Sequence, residues 1–277
     1  MKEKAQNSKV KNYYDTEAED YNDIFYIKDN EYPPLKYRHK YILEMISEES
    51  LSENSTILDV GCGPGELVLD LSKRFNIIFG IDISDEMIRI AGKKQYERDL
   101  KGKSIVFGLG DIEKLDFQDN YFDVVVCSGV VEYLEKDDLW INEVKRVLKT
   151  DGLLIVNVTN KYAVRRWTMP FFTAVKSFPG VYFILNFIKT KLLGKEKLNR
   201  FPFRPRVHSP SAFDDFLKSS GFEKISHNYF DFSLLPYPLD TLFDFFLLKI
   251  RKNMEKKSGS DAWLTGNGYI VKYRKKA

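Results

Sequence analysis

Short apolar runs alternate with longer segments whose apolar residues return every third or fourth position, and this alternation governs roughly the first 160 residues of the chain. The runs at 56–60, 77–81, 104–108, 122–127 and 152–158 have strand length and are bounded by Gly, Asp or Asn. Between them, 66–74, 84–98 and 137–149 carry helical spacing. Strand and helix in repetition predict an α/β fold, a doubly wound and mostly parallel sheet with helices on both faces. Ser84 stands where an N-cap is needed, with Met87, Ile88 and Ala91 on the inward stripe.

The alternation breaks at residues 161–206. Regular patterning resumes at Ser209-Pro210, which open a helix through Leu217 that stops at Ser220-Gly221, with Pro near the first turn and Gly past the end. Two last strands are expected at 223–230 and 268–274, separated by an apolar stretch from Leu234 to Ile250 that contains two prolines. The implied organisation is N-terminal cap helices over 1–54, a ligand-binding core over 55–160, an insertion over 161–206, and the rest of the core over 207–277 with a second insertion at 231–262. A chain of 277 residues can bury such a core without disulfides or metals. Cys62 and Cys127 are the two cysteines and read as small buried hydrophobes, so neither a disulfide framework nor a metal site is expected. The polar opening, Met-Lys-Glu-Lys-Ala-Gln-Asn-Ser, lacks the apolar core of a secretory signal, which makes a cytoplasmic location the expectation.

Charge changes the reading of the insertion. The chain carries +3 overall, but residues 161–206 hold eleven Lys or Arg against Glu196 alone, a local charge of +10 that leaves −7 for the remainder. Trp167, Phe171, Phe172, Phe178, Tyr182, Phe183, Phe187, Phe201 and Phe203 are interleaved with those cations. Three readings follow: a lid over a substrate, a lid that also rests on an anionic membrane surface, or a contact for nucleic acid. The uncharged run 177–188 has twelve residues, below the roughly 20 needed to span hydrocarbon. Flanked by Lys176, Lys189 and Lys191, it suits an element lying at a membrane interface instead.

The chemistry concentrates at 57–67, Ile-Leu-Asp-Val-Gly-Cys-Gly-Pro-Gly-Glu-Leu, where a strand runs into a turn bearing Gly61, Gly63 and Gly65 behind the carboxylate of Asp59. A turn without Cβ atoms lets main chain approach a ligand closely. Asp82 ends the second strand, 21 residues after Gly61, where a carboxylate can accept from both hydroxyls of a ribose. Asp111 ends the third strand, placed to take an exocyclic adenine amino proton while Ile112 packs on the ring. These features also occur in dinucleotide-binding domains, but the third glycine of that fingerprint falls on Glu66, and a pyrophosphate would sit poorly among Asp59, Glu66 and Asp82. Acidic surroundings favour a cationic ligand.

Four motifs in order, Asp-Val-Gly-Cys-Gly-Pro-Gly at 59–65, Gly-Ile-Asp-Ile-Ser at 80–84, Gly-Asp-Ile at 110–112 and Phe-Asp-Val-Val-Val-Cys at 122–127, resemble those of the class I S-adenosylmethionine-dependent methyltransferases. The resemblance covers residues 13–160 and the two closing strands, and implies a seven-stranded Rossmann-like sheet with an antiparallel last strand. It places Gly61, Gly63 and Gly65 under the methionine part of S-adenosyl-L-methionine and Asp82 at its ribose, with Asp59 and Ile83 also among the cofactor-binding residues. Asp111 and Ile112 would hold the adenine, Met87 would pack on the adenosine, and Ser128 would face the methionine or the acceptor. Tyr14 and Tyr21 resemble the family's N-terminal helix that folds over the cofactor.

The Asn-Pro-Pro-Tyr motif of amino-group nucleic-acid methyltransferases is absent, since the fourth strand ends in Cys-Ser-Gly. The leading expectation is methyl transfer to a lipophilic or amphipathic small molecule such as an isoprenoid, a quinone precursor or a lipid-linked sugar. An RNA methyltransferase using the basic aromatic insertion is the first alternative, and a non-catalytic cofactor-binding regulator the second. If the reaction needs a base, His208 at the exit of the insertion is the candidate, with Glu132 and Tyr133 as others.

Overall fold

A computed structural model describes residues 2–23, 34–98, 100–171, 174, 178, 180, 183, 187, 205–236, 239–256 and 262–276. Most of the uncharged run 177–188 and the cations from Lys189 to Arg204 lie outside the described residues. Seven strands, β1 (Thr56–Val60), β2 (Ile77–Asp82), β3 (Ser104–Leu109), β4 (Phe122–Cys127), β5 (Leu148–Thr159), β6 (Phe222–Phe232) and β7 (Gly266–Lys275), form one sheet in the order β3-β2-β1-β4-β5-β7-β6. The first five pair in parallel, and β7 enters antiparallel to both β5 and β6. This is the expected Rossmann-like sheet.

The central strands are apolar along their whole length because both of their faces are covered. Val124, Val125, Val126 and Cys127 of β4 are fully buried, alternate side chains entering opposite layers. On one face, α5 (Asp138–Val147) contributes Trp140, Ile141 and Val144, and α6 (Pro210–Ser219) contributes Phe213 and Leu217. The other face is covered by α2 (Pro34–Ser47) through Tyr41, Ile42, Met45 and Ile46, and by α3 (Glu66–Leu71). Helix α2 is thus a layer of the core. Of the described residues in the segment expected to cap the fold, α1 (Lys2–Asn22) lies over the ends of the strands, packing against α4 (Asp85–Tyr96).

The local stop and start signals act as their chemistry requires. The Ser84 hydroxyl accepts from Met87 N at 3.2 Å to open α4, and Ser209 accepts from Ala212 N at 3.4 Å ahead of Pro210. The fifth strand begins earlier than the apolar pattern indicates. Phe122 pairs with Leu148, and a register shift then carries the polar residues 149–151 past β4 before Val124 meets Leu153. That irregularity brings Asp151 to φ +61°.

Candidate cofactor and active site

Strand order reverses between β1 and β4, and in open α/β sheets the crevice beyond the carboxyl ends of the strands at such a switch point is where ligands bind. A cavity of about 290 Å³ lies there. It is at the compact end of small-molecule sites, which start at roughly 300 Å³. Its floor is the turn after β1. Gly61 N and Cys62 N both donate to Ile81 O, at 2.7 and 3.0 Å, and Gly110 N donates to Asp82 O at 3.0 Å, so three strand ends are tied in series. Gly61 has φ +69°, and a Cβ there would stand 2.2 Å from Val130 Cγ2. Only glycine fits.

The predicted site residues separate into two groups. Tyr14, Tyr21, Gly61, Gly63, Asp82, Ile83, Met87, Asp111, Ile112 and Ser128 all line the cavity. Asp59, Gly65, Glu66 and His208 do not. Gly65, at φ +82°, lets helix and sheet close, since a Cβ would meet Phe107 and Ala91 at 2.8 and 2.9 Å. Glu66 faces Lys94 at 2.5 Å and Arg98 at 3.4 Å, so it adds nothing to the acidity of the crevice. His208 pairs its backbone with Asn160, packs its ring against Phe213 and stands 3.9 Å from Asp137, with burial and Arg206 holding it below the usual histidine range. Its position away from the cavity follows from the ladder at the roots of the insertion: Lys161 N donates to His208 O and His208 N to Thr159 O.

Asp82 is held by the loop it serves. Oδ2 accepts from Gly63 N and Oδ1 from Ser84 N, each at 2.9 Å. Each carboxylate oxygen keeps a further lone pair for a ligand hydroxyl. Burial raises its pKa against the pull of those amides. Asp59 lies directly behind, 2% exposed, with Oδ1 unpartnered. Burial, and then the charge of Asp82, push its carboxyl up to about 8, with Arg38 acting in the opposite sense. It is therefore mostly neutral at neutral pH.

Helix α1 roofs the cavity. Asn7 Nδ2 donates to Asp111 Oδ2 at 3.1 Å and to Glu113 Oε2 at 3.0 Å, Gln6 donates to Tyr133 O, and Asp15 accepts from Ser84 Oγ at 2.6 Å. The Tyr14 ring meets Tyr133 and Tyr21 edge to face at 5.8 and 5.9 Å. Ala18, Met87 and Ile90 form a small core beneath.

Arg38 is the wall residue that the sequence reading passes over. It lines the cavity, hydrogen-bonds Tyr21 and lies against Gly129, where a Cβ would meet Nη1 at 2.8 Å. A signal was present: Arg38 precedes Tyr41, Ile42 and Met45 by three, four and seven positions, so a cation sits on the apolar face of α2. Asn7 and Val10 extend the stripe of Tyr14 and Tyr21 along α1 in the same way. Glu132 is buried beside the cavity with Oε2 unpartnered and a raised pKa from desolvation, while Tyr133 lines the wall.

A doubly wound sheet with a bare glycine turn, a strand-end carboxylate and a roofing helix at the switch point defines a Rossmann-like, nucleoside-binding protein. Residues 58–156 match the family described as the methyltransferase domain. That match, over about a third of the chain, supports a class I S-adenosylmethionine-dependent methyltransferase. YqeM of Bacillus subtilis is 34% identical over 121 residues, 42% of this chain and 47% of that protein, so the match spans about half of that relative's length. The uncharacterized protein MJ1252 of Methanocaldococcus jannaschii is 29% identical over 229 residues, 78% of this chain and 77% of that one. Among solved structures, the magnesium protoporphyrin IX methyltransferase ChlM of Synechocystis PCC 6803, with SAH bound, is similar with a TM-score of 0.62. The two share 15% identity over 98% of this chain and 99% of that one, a likeness of fold.

Proposed function

We propose that the cavity holds S-adenosyl-L-methionine and that the protein transfers its methyl group to a lipophilic or amphipathic small molecule. The observation that carries the reading is the pairing, across one crevice, of bare turn backbone at Gly61 and Gly63 with the lone pairs of Asp82 and Asp111. The residues fit the group. Asp82 would take the ribose hydroxyls, Asp111 and Ile112 the adenine, and Arg38 the amino acid carboxylate, while Met87 would pack on the nucleoside. When bound, the cofactor supplies an electrophilic methyl carbon on a positively charged sulfur.

The chain's own part is alignment and exclusion of water, which can supply much of the acceleration of such a displacement. Tyr14, Tyr21 and Tyr133 close the roof over the wall. The wall towards the acceptor is apolar, through Val10, Leu35, Val130 and Leu134, and matches an acceptor with a hydrocarbon surface. Glu132, buried beside the cavity with burial raising its carboxyl pKa, could receive an acceptor proton only in its ionised form; His208 is set apart from the cavity and is not assigned that role. Incubating the protein with labelled methyl donor and fractionated extract tests the reading. Label in the lipid or small-molecule fraction is expected, and label in RNA would replace the acceptor class.

A further inference from the structure

The carboxyl edge of the sheet carries more than the cavity. Because β7 runs antiparallel to β5, the end of β5, the end of β6 and the start of β7 all emerge on the cavity side. Three segments leave from there: the start of the insertion at 160–171, the second insertion with α7 (Leu239–Leu242) and α8 (Asp244–Lys256), and the turn at 262–265. Asn160 binds two of them together, its Nδ2 donating to Trp263 O at 2.6 Å and to Gly266 O at 2.8 Å while Oδ1 accepts from Tyr162 N. Val164 N donates to Leu264 O, and the Tyr162 and Trp263 rings meet edge to face.

Helix α8 has two unlike faces. Inward, Arg251 pairs with Asp240 at 2.7 Å, both nearly fully buried, and Glu255 accepts from Tyr41 Oη at 2.9 Å and from Asp231 N at 2.9 Å. Outward, Phe245 and Phe246 are 84% and 73% exposed, followed one turn on by Lys249 and Ile250, and further along by Lys256, all exposed. The inward face is committed to a buried ion pair and to the hydrogen bonds of Glu255, so rolling the helix to hide its phenylalanines would break them. Nearby, Trp167, Phe243 and Trp263 are also exposed, and Arg165 and Arg166 approach Asp231 beside the end of α8. Residues 161–171 contain three cations and no acid.

We propose that the outward face of α8, continued by Trp167 and Trp263, is a docking surface for an anionic lipid bilayer, in whose plane α8 lies with Phe245, Phe246 and Ile250 inserted. The helix has the composition of an in-plane interfacial element: Phe245, Phe246 and Ile250 on one side, Lys249 between them and Lys256 further along with stems long enough to reach headgroups, and no length to span. Charge complementarity selects the partner, since Lys249 and Lys256 are exposed on this side of the helix while Glu255 on its inward side is spent on Tyr41 and Asp231 N. The inference rests on the lipophilic acceptor proposed above, because this orientation turns the edge bearing the cavity towards the layer in which such an acceptor dissolves.

Flotation of the full chain with vesicles tests it, using phosphatidylglycerol mixed with phosphatidylcholine against phosphatidylcholine alone, with neither acceptor nor methyl donor present. The chain is expected to float with the anionic vesicles at low salt and to be released at high salt. The double substitution Phe245→Ser, Phe246→Ser should cut the bound fraction about tenfold or more, and Lys249→Glu should weaken binding to anionic vesicles alone. Unchanged heat on titration with S-adenosylhomocysteine shows that the variants are folded, and that same titration tests the cofactor reading separately. Absence of vesicle binding, or binding indifferent to the double substitution, overturns the proposal. So does a concentration-dependent dimer dissolved by that substitution without vesicle binding, which would assign the face to a second copy of the chain.

Discussion

At the β1–β3 side of the sheet edge, consecutive strand ends are hydrogen-bonded to one another through Gly61, Cys62 and Gly110, and Asp82 and Asp111 line a small roofed cavity. At the β5–β6 side the edge instead carries two long excursions, anchored at their roots by Asn160 and Asp240 and bearing exposed aromatic residues. The first region is specified by backbone geometry, where a Cβ added at Gly61, Gly65 or Gly110 would collide. The second is specified by a few buried polar anchors beneath an outer surface of exposed side chains. A cofactor site and, as proposed above, a surface turned towards a lipophilic acceptor would place those opposite demands on a chain.

Gly61→Ala should break the first region most severely. It forces a residue into φ +69° with a methyl 2.2 Å from Val130, at a cost of about 3 kcal/mol or more in unfolding free energy and with loss of nucleoside binding. In the second region, Phe245→Ser should move stability by no more than about 0.5 kcal/mol in the same urea titration. Asp82→Ala comes next: losing charged hydrogen bonds should weaken S-adenosylhomocysteine binding by roughly 10- to 100-fold in calorimetry, more than Asp111→Ala does.

Asp59 gives a pH-dependent test of the same region. Its folded-state pKa of about 8 lies above its unfolded value, so the folded state holds the proton more tightly. The stability it contributes is fully present below about pH 4 and is lost as pH rises towards about 8. Asp59→Asn should flatten that loss, which is at most about 1.4 kcal/mol per pH unit, when urea unfolding is followed across the interval. The smallest effect sharpens the comparison from the other direction. Gly92, in α4, has open space around its missing Cβ, so Gly92→Ala should stabilise by up to about 1 kcal/mol in thermal unfolding.

The same contrast explains what could be read from the chain. The sheet order follows from strand-helix alternation, and the cavity floor from glycines whose spacing admits few conformations, so Gly61, Gly63, Asp82 and Asp111 were legible. Asp59 was legible as chemistry but misplaced by one layer, because a side chain at a strand end can face the crevice or the core and spacing does not decide between them. Glu66 was assigned to the crevice for want of its partners, Lys94 and Arg98, which α4 and the residues after it bring round. Arg38 comes from a helix whose apolar spacing marks only a core layer, and its place in the wall depends on how α2 docks. His208 looked accessible because a helix follows it, yet the pairing with Asn160 that closes the insertion draws it inside.

The most direct test of the central claim, that this glycine and carboxylate crevice holds a sulfonium nucleoside, is calorimetric titration of the purified chain with S-adenosylmethionine, S-adenosylhomocysteine and NADH. Saturable heat with the first two, reduced by Asp82→Ala, and none with NADH is the predicted result. Heat with NADH and none with either sulfur nucleoside would contradict it.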